Sequence, residues 1–122
     1  MHGMHDLFSD EKENDVFNNE IRKGFLKMFL MKIIRDKPTH GYEIIHQIQE
    51  KTGGRWTPSP GSVYPTLDGL EAKGWIRCEE AERRKLYTIT PEGKAALGRI
   101  KAKWLEHVRE ITNFFETIKE EK

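Results

Sequence analysis

The sequence predicts a mainly α-helical fold with one small β-hairpin, and three observations carry that expectation. Apolar residues recur at intervals of three and four over residues 21–36 and again from Leu97 to Ile118, the period of a helix with a buried face. Between these stretches, "WIRCEE" and "RKLYTIT" change to the two-residue period of strands on either side of a charged tip. With 122 residues, 36% hydrophobic and 34% charged, the chain can bury one modest core. One compact domain is expected, with no room for a second of enzyme size.

In chain order, Ile21, Phe25, Phe29 and Ile33, flanked by Leu26, Leu30 and Ile34, predict a first helix from Ile21 to Asp36. It ends before Pro38, because the residue preceding a proline avoids the α region. Thr39 offers an N-cap for a second helix, in which Ile45 and Ile48 face inward and Glu43 sits near the positive end of the dipole. Gly53 and Gly54 stop that helix.

The third helix lies in "SPGSVYPTLDGLEAKGW", residues 59–75, a helix-sized pattern that accepts a proline and glycines in its interior. Two registers are open. Ser59 can cap with Pro60 in the first turn, or the helix can start at Ser62 and place Pro65 there. Either way Val63, Leu67 and Leu70 form one buried stripe. The opposite face collects Gly61, Pro65, Asp68, Gly69 and Ala72, flanked by Ser62 and Tyr64, and is nearly bare. An interior glycine costs a helix about 1 kcal/mol. A face so stripped suits close approach to another surface, either the DNA major groove, with Ser62 and Tyr64 reaching phosphates or bases, or a neighbouring helix.

After Gly74 the two strands follow, joined through Glu80, Ala81 and Glu82 to the basic cluster Arg83, Arg84 and Lys85. Three helices and then a basic-tipped hairpin make a winged helix-turn-helix order: the second helix supports, the third presents, and the hairpin reaches adjacent backbone or minor groove. "TPEG" opens the last helix with Thr90 as cap, Pro91 in the first turn and Glu92 at the favourable end of the dipole. Along it, Leu97, Ile100, Trp104, His107, Ile111, Phe114 and Ile118 form a heptad seam that Val108 and Phe115 widen. So long a seam predicts a homodimer, which would pair two reading helices on a two-fold symmetric site. The alternative is a cover for the first helix, and a broad stripe can do both.

Charge divides along the chain. Residues 1–20 carry one lysine against six acids, a net of −5, while the remainder holds 20 basic and 14 acidic residues, a net of +6. An acidic arm therefore precedes a mildly basic body suited to a polyanion. Phe8 and Phe17 give the arm apolar anchors, and it is a candidate screen for the basic surface. "FLKMFLMKII" is too short and too charged for a membrane span, and no signal-peptide pattern precedes it, so the expectation is a cytoplasmic protein.

Enzyme classes fare badly. There is no phosphate-cradling glycine motif and no nucleophile elbow, and the histidines at 2, 5, 40, 46 and 107 have no metal-ligand spacing. The single cysteine, Cys78, excludes an intrachain disulfide and reads as a small strand-packing residue. Neither metal nor cofactor is expected.

"HGYEI" at 40–44, "SPGSVYPTLDGLEAKGWI" at 59–76 and "RRKLYTITPEGKAAL" at 83–97 resemble the PadR family of transcriptional regulators, in its shorter subgroup with a single C-terminal helix. The similarity spans roughly residues 22–112. It implies a winged-helix DNA-binding domain at 21–91 and a dimerisation helix at 92–122, while the acidic arm at 1–20 falls outside the shared pattern. His40, Gly41 and Tyr42 would begin the supporting helix near the DNA backbone; Ser62, Tyr64, Pro65 and Thr66 would belong to the recognition helix; Arg83, Arg84 and Lys85 would form the wing. Leu97, Ile100, Trp104, Val108, Ile111, Phe114, Phe115 and Ile118 would make the dimer interface. Some similar regulators hold flat aromatic compounds between paired tryptophans, and Trp104 matches that placement, an indole attractive to planar cations. Many relatives carry a basic residue about where Asp68 and Gly69 stand, so an acid here lowers phosphate attraction. The function implied is a dimeric repressor of double-stranded operator DNA, with release by a planar aromatic effector. The alternative class is a winged-helix module whose smooth third helix docks on protein.

Overall fold

A computed structural model describes residues 24–120. The acidic arm, with His2, His5, Phe8 and Phe17, and the expected helix start at Ile21 lie outside the described residues. Element order is α1 (residues 24–36), β1 (Thr39–His40), α2 (Gly41–Lys51), α3 (Pro60–Ala72), β2 (Ile76–Ala81), β3 (Arg84–Ile89) and α4 (Pro91–Glu116). The strands form one antiparallel sheet in the order β1-β3-β2.

The core sits where α1, α2 and α3 meet that sheet. Leu30, Met31, Ile33 and Ile34 from α1, Ile44 and Ile48 from α2, and Val63, Leu67 and Leu70 from α3 are all essentially inaccessible to solvent. Each such side chain contributes about 1.5–3 kcal/mol from burial. Tyr87 and Ile89 of β3 point into the same core, which confirms their alternation with Leu86 and Thr88. Burial pushes the Tyr87 phenol well above its ordinary range.

Two expectations need correction. Thr39 does not cap α2: His40 is the N-cap and provides no side-chain bond. Thr39 is drawn instead into β1, opposite Tyr87, where its hydroxyl donates to the Lys37 carbonyl at 2.6 Å. The hairpin is also not alone, because β1 adds a third strand too short to show a two-residue period. The open register of α3 is settled by Ser59, whose hydroxyl accepts from the Ser62 N–H at 3.2 Å, with Pro60 at the first position. Pro65 therefore sits inside the helix and offers no N–H to the Gly61 carbonyl, which lies on the exposed side.

The exit from α3 and the start of α4 are tied together at Trp75. Gly74, at φ +77°, turns the chain so that the Trp75 N–H donates to the Leu70 carbonyl at 3.0 Å. Thr90 caps α4 by accepting from the Gly93 N–H, while its own hydroxyl donates to the Gly74 carbonyl and its N–H to the Trp75 carbonyl. A Cβ at Gly93 would stand 1.9 Å from that Trp75 oxygen, so only glycine fits.

Candidate nucleic-acid interface

Three elements converge at one corner of the molecule. α2 begins with His40 as its N-cap, which makes no side-chain bond to the first turn, leaving the positive end of the helix dipole without a side-chain cap. Against this end packs Tyr64 of α3: a Cβ on Gly41 would approach its Cε1 to 2.8 Å and its hydroxyl to 3.1 Å. Gly41 thus lets α3 and α2 close on each other.

The wing is held to the same corner. The His40 ring stacks on Tyr42 at 5.9 Å, and its Nδ1 lies 3.3 Å from the Lys85 carbonyl. The Arg84 guanidinium sits 5.7 Å from the centre of the Tyr42 ring, within cation–π range. Arg84 and Lys85 therefore join the corner through contacts that no sequence period announces. Arg83 is at the tip, where Glu82 and Arg83 form the two-residue turn at φ 52° and 66°. Left-handed backbone at both positions is the pattern of a type I′ hairpin turn, matched to the twist of the strands.

The outer face of α3 is as bare as its sequence implies. Gly61, Ser62, Pro65, Asp68, Gly69 and Ala72 are exposed, and a Cβ at Gly69 would meet nothing within 4 Å. No neighbouring helix of the chain packs there among the described residues, so intramolecular packing does not account for that glycine. Tyr64 is exposed at the edge of this face, and the Thr66 hydroxyl donates to the Ser62 carbonyl at 2.8 Å. The arrangement offers a smooth helix for a groove, the positive end of α2 for phosphate and three basic side chains on a hairpin.

The seam residues of α4 fall into two sets. Leu97 is buried in the chain's own core, Ile100 packs against it, and Trp104 stacks on Phe25 at 4.5 Å and 18°. Val108, Ile111, Phe114, Phe115 and Ile118 are exposed, together with Leu105. One face of Trp104 is thus taken by Phe25, and a cavity of about 460 Å³ adjoins the indole between Trp75, Ile100, Lys27, Lys103 and His107. Burial and the neighbouring Lys73 hold the Lys27 ammonium below its ordinary value. Cys78 is half-buried on β2, and burial pushes its thiol up, away from the reactive thiolate. Among the described residues no cluster of three or more metal-ligating side chains occurs, and no helix is long and apolar enough to cross a membrane.

The model of the transcriptional regulator PadR-like family matches residues 30–99, from the middle of α1 to the first turns of α4. A transcriptional regulator of Escherichia coli, YqjI, is 37% identical over 94 residues, or 76% of this chain and 42% of the relative. The chain thus spans less than half the length of that relative. A solved transcriptional regulator from Clostridium thermocellum is 27% identical with a TM-score of 0.69, covering 79% of this chain and 97% of the other. A PadR family regulator from Eggerthella lenta, 22% identical, shares the fold with a TM-score of 0.79 over 91% of this chain and 99% of its own.

Proposed function

This chain belongs to the PadR-like family of transcriptional regulators, and from that premise we propose that it is a sequence-specific DNA-binding repressor acting as a homodimer. Members of the family are regulators of transcription rather than enzymes. The observation that carries the DNA reading is the single corner uniting the uncapped start of α2, the bare face of α3 and the Arg83–Lys85 wing. His40, Tyr42, Tyr64, Arg84 and Lys85 position that corner, while Ser62, Pro65, Thr66 and Arg83 present atoms to the duplex.

Dimerisation is supported by the exposed apolar residues of the second half of α4, from Val108 to Ile118. Pairing through them would set two reading helices on one operator. Release by a planar aromatic effector is assigned to Trp104, in the cavity that adjoins its indole. The cationic wall of Lys27 and Lys103 favours a neutral or anionic ring there over a planar cation.

The test is fluorescence anisotropy of a labelled duplex taken from immediately upstream of the protein's own gene, titrated at two salt concentrations beside a scrambled duplex. Selective binding that weakens steeply with salt is expected, since each neutralised phosphate releases counterions. Equal or absent binding to both duplexes would transfer the smooth face of α3 to a protein partner.

A further inference from the structure

The outer face of α3 carries one ionised side chain, and the fold gives no reason for it. Asp68 lies between Pro65 and Ala72 on that face, with Gly69 beside it and Gly61 two turns before, and all five are exposed. It stands beyond the first turn of α3, where the helix dipole would favour an acid. Glu71 follows three residues later, a like charge at a neighbouring position on the helix. Among the described residues Asp68 has no hydrogen bond or ion pair; its charge is one of those that push the Tyr87 phenol up, with no bond between the two. Nor does charge draw the arm to it, since residues 1–20 are themselves strongly acidic.

The surroundings of Asp68 are those a short carboxylate needs to reach a base edge. A helix with its side chains is about 10–12 Å across and the major groove about 12 Å wide, so the outward side chains decide how deeply the axis seats. On α3 these are cut down to Gly61, Pro65, Gly69 and Ala72, and a Cβ at Gly69 would meet nothing within 4 Å. Other hydrogen-bonding groups nearby are already engaged. The Thr66 hydroxyl donates to the Ser62 carbonyl, the Ser59 and Ser62 hydroxyls lie 3.2 Å apart, and Tyr64 closes on Gly41. Asp68 therefore brings two oxygens, both acceptors, to the part of the helix that seats deepest. Among the bases, the major groove offers donors at cytosine N4 and adenine N6 alone. Beside adenine N6 stands N7, an acceptor that repels a carboxylate, whereas beside cytosine N4 stands a C–H. Phosphates repel the same charge, so the residue contributes favourably only where it finds that amine.

We propose that Asp68 is a specificity-determining residue of α3, its carboxylate accepting a hydrogen bond from the N4 amine of a cytosine in the major groove, at an approach that Gly69 keeps open. The assignment rests on the chain binding DNA through α3. It joins two oddities of that helix, a glycine that the fold does not require and an acid where a polyanion should dock, in one function.

Selection from a pool of random-sequence duplexes by the full chain, run in parallel with Asp68→Ala and Asp68→Asn, tests this, followed by anisotropy titrations of the enriched duplex and its single-pair variants. Wild type is expected to enrich a motif with a fixed cytosine, and replacing that pair should weaken its binding about tenfold, within the range of one base contact. Asp68→Ala should lose discrimination to within about twofold at that pair alone, while its affinity for scrambled duplex rises as a repelled charge is removed. Asp68→Asn should move the preference from cytosine to adenine, because an amide can bridge N6 and N7. A change of base preference confined to one pair is something a damaged fold does not produce, and unchanged melting temperatures check the fold directly. If wild type enriches a motif that both variants read identically, or if Asp68→Ala weakens every pair alike, Asp68 reads no base and the assignment falls while DNA binding stands. If wild type enriches no motif, the DNA-binding reading falls first and takes this one with it.

Discussion

The two halves of α4 carry one pattern and meet two fates. From Gly93 to Trp104 the apolar stripe is consumed at home: Gly93 closes on Trp75, Ala96 and Leu97 enter the core, and Trp104 lies on Phe25. From Leu105 onward the spacing continues unchanged, yet Val108, Ile111, Phe114, Phe115 and Ile118 are more than half exposed or close to it. A heptad repeat states that a face is apolar and says nothing about what covers it. That is decided by where the rest of the chain lies, and among the described residues nothing reaches beyond Gly24 to cover the second half.

The sharpest way to break the comparison is at the point where the first half is most constrained. Gly93→Ala should cost about 3 kcal/mol or more, since its Cβ collides with backbone that cannot retreat as a flexible side chain would. Urea denaturation would show it, and a wild-type midpoint would mean that α4 can move away from Trp75. Next in size, Leu97→Ala should remove about 2–4 kcal/mol at every protein concentration, as a cavity in a folded chain does. Phe115→Ser should behave oppositely. Stability at high dilution should stay within about 0.5 kcal/mol of wild type, while sedimentation reports a dimer weakened about a hundredfold. If Phe115→Ser instead matches Leu97→Ala at all concentrations, the second half of α4 is covered within its own chain.

Smaller effects sharpen the contrast between glycines. Gly69→Ala on the open face of α3 should stabilise the fold by about 1 kcal/mol, the reverse of Gly93→Ala, because nothing stands within 4 Å of the new methyl. In the same variant, unchanged affinity for operator DNA in anisotropy titrations would remove the groove as the reason for that glycine. Smallest of all, the Cys78 thiol, pushed up by burial, should alkylate several-fold more slowly with iodoacetamide near pH 8 than in urea-unfolded protein. Equal rates would place it on an open strand edge.

The fold was legible wherever periods were long. The stripe Val63, Leu67 and Leu70, the inward alternation of Tyr87 and Ile89, and the Thr90–Pro91 start of α4 all follow from spacing and capping chemistry, and all are found. Where a single contact decides, pattern failed. Thr39 has the side chain of a helix cap, but pairing with Tyr87 takes it into a two-residue strand. At the corner, the sequence indicated Tyr42, Tyr64 and the basic wing by motif, while the Arg84–Tyr42 contact, the approach of His40 Nδ1 to the Lys85 carbonyl and the close fit of Tyr64 on Gly41 depend on residues about 20 to 45 positions apart.

The turn at the hairpin tip carries a consequence of its own. Glu82 and Arg83 occupy backbone conformations that asparagine and glycine adopt with little penalty and that other residues adopt at about 1 kcal/mol each. An Asn-Gly pair at these two positions would give a sturdier hairpin and a blunt one, stripped of its outermost cation. The chain holds instead a poorer turn former with a longer reach, so stability is surrendered at the spot where a side chain projects farthest, and a thermostable redesign of this protein would erase its wing tip first.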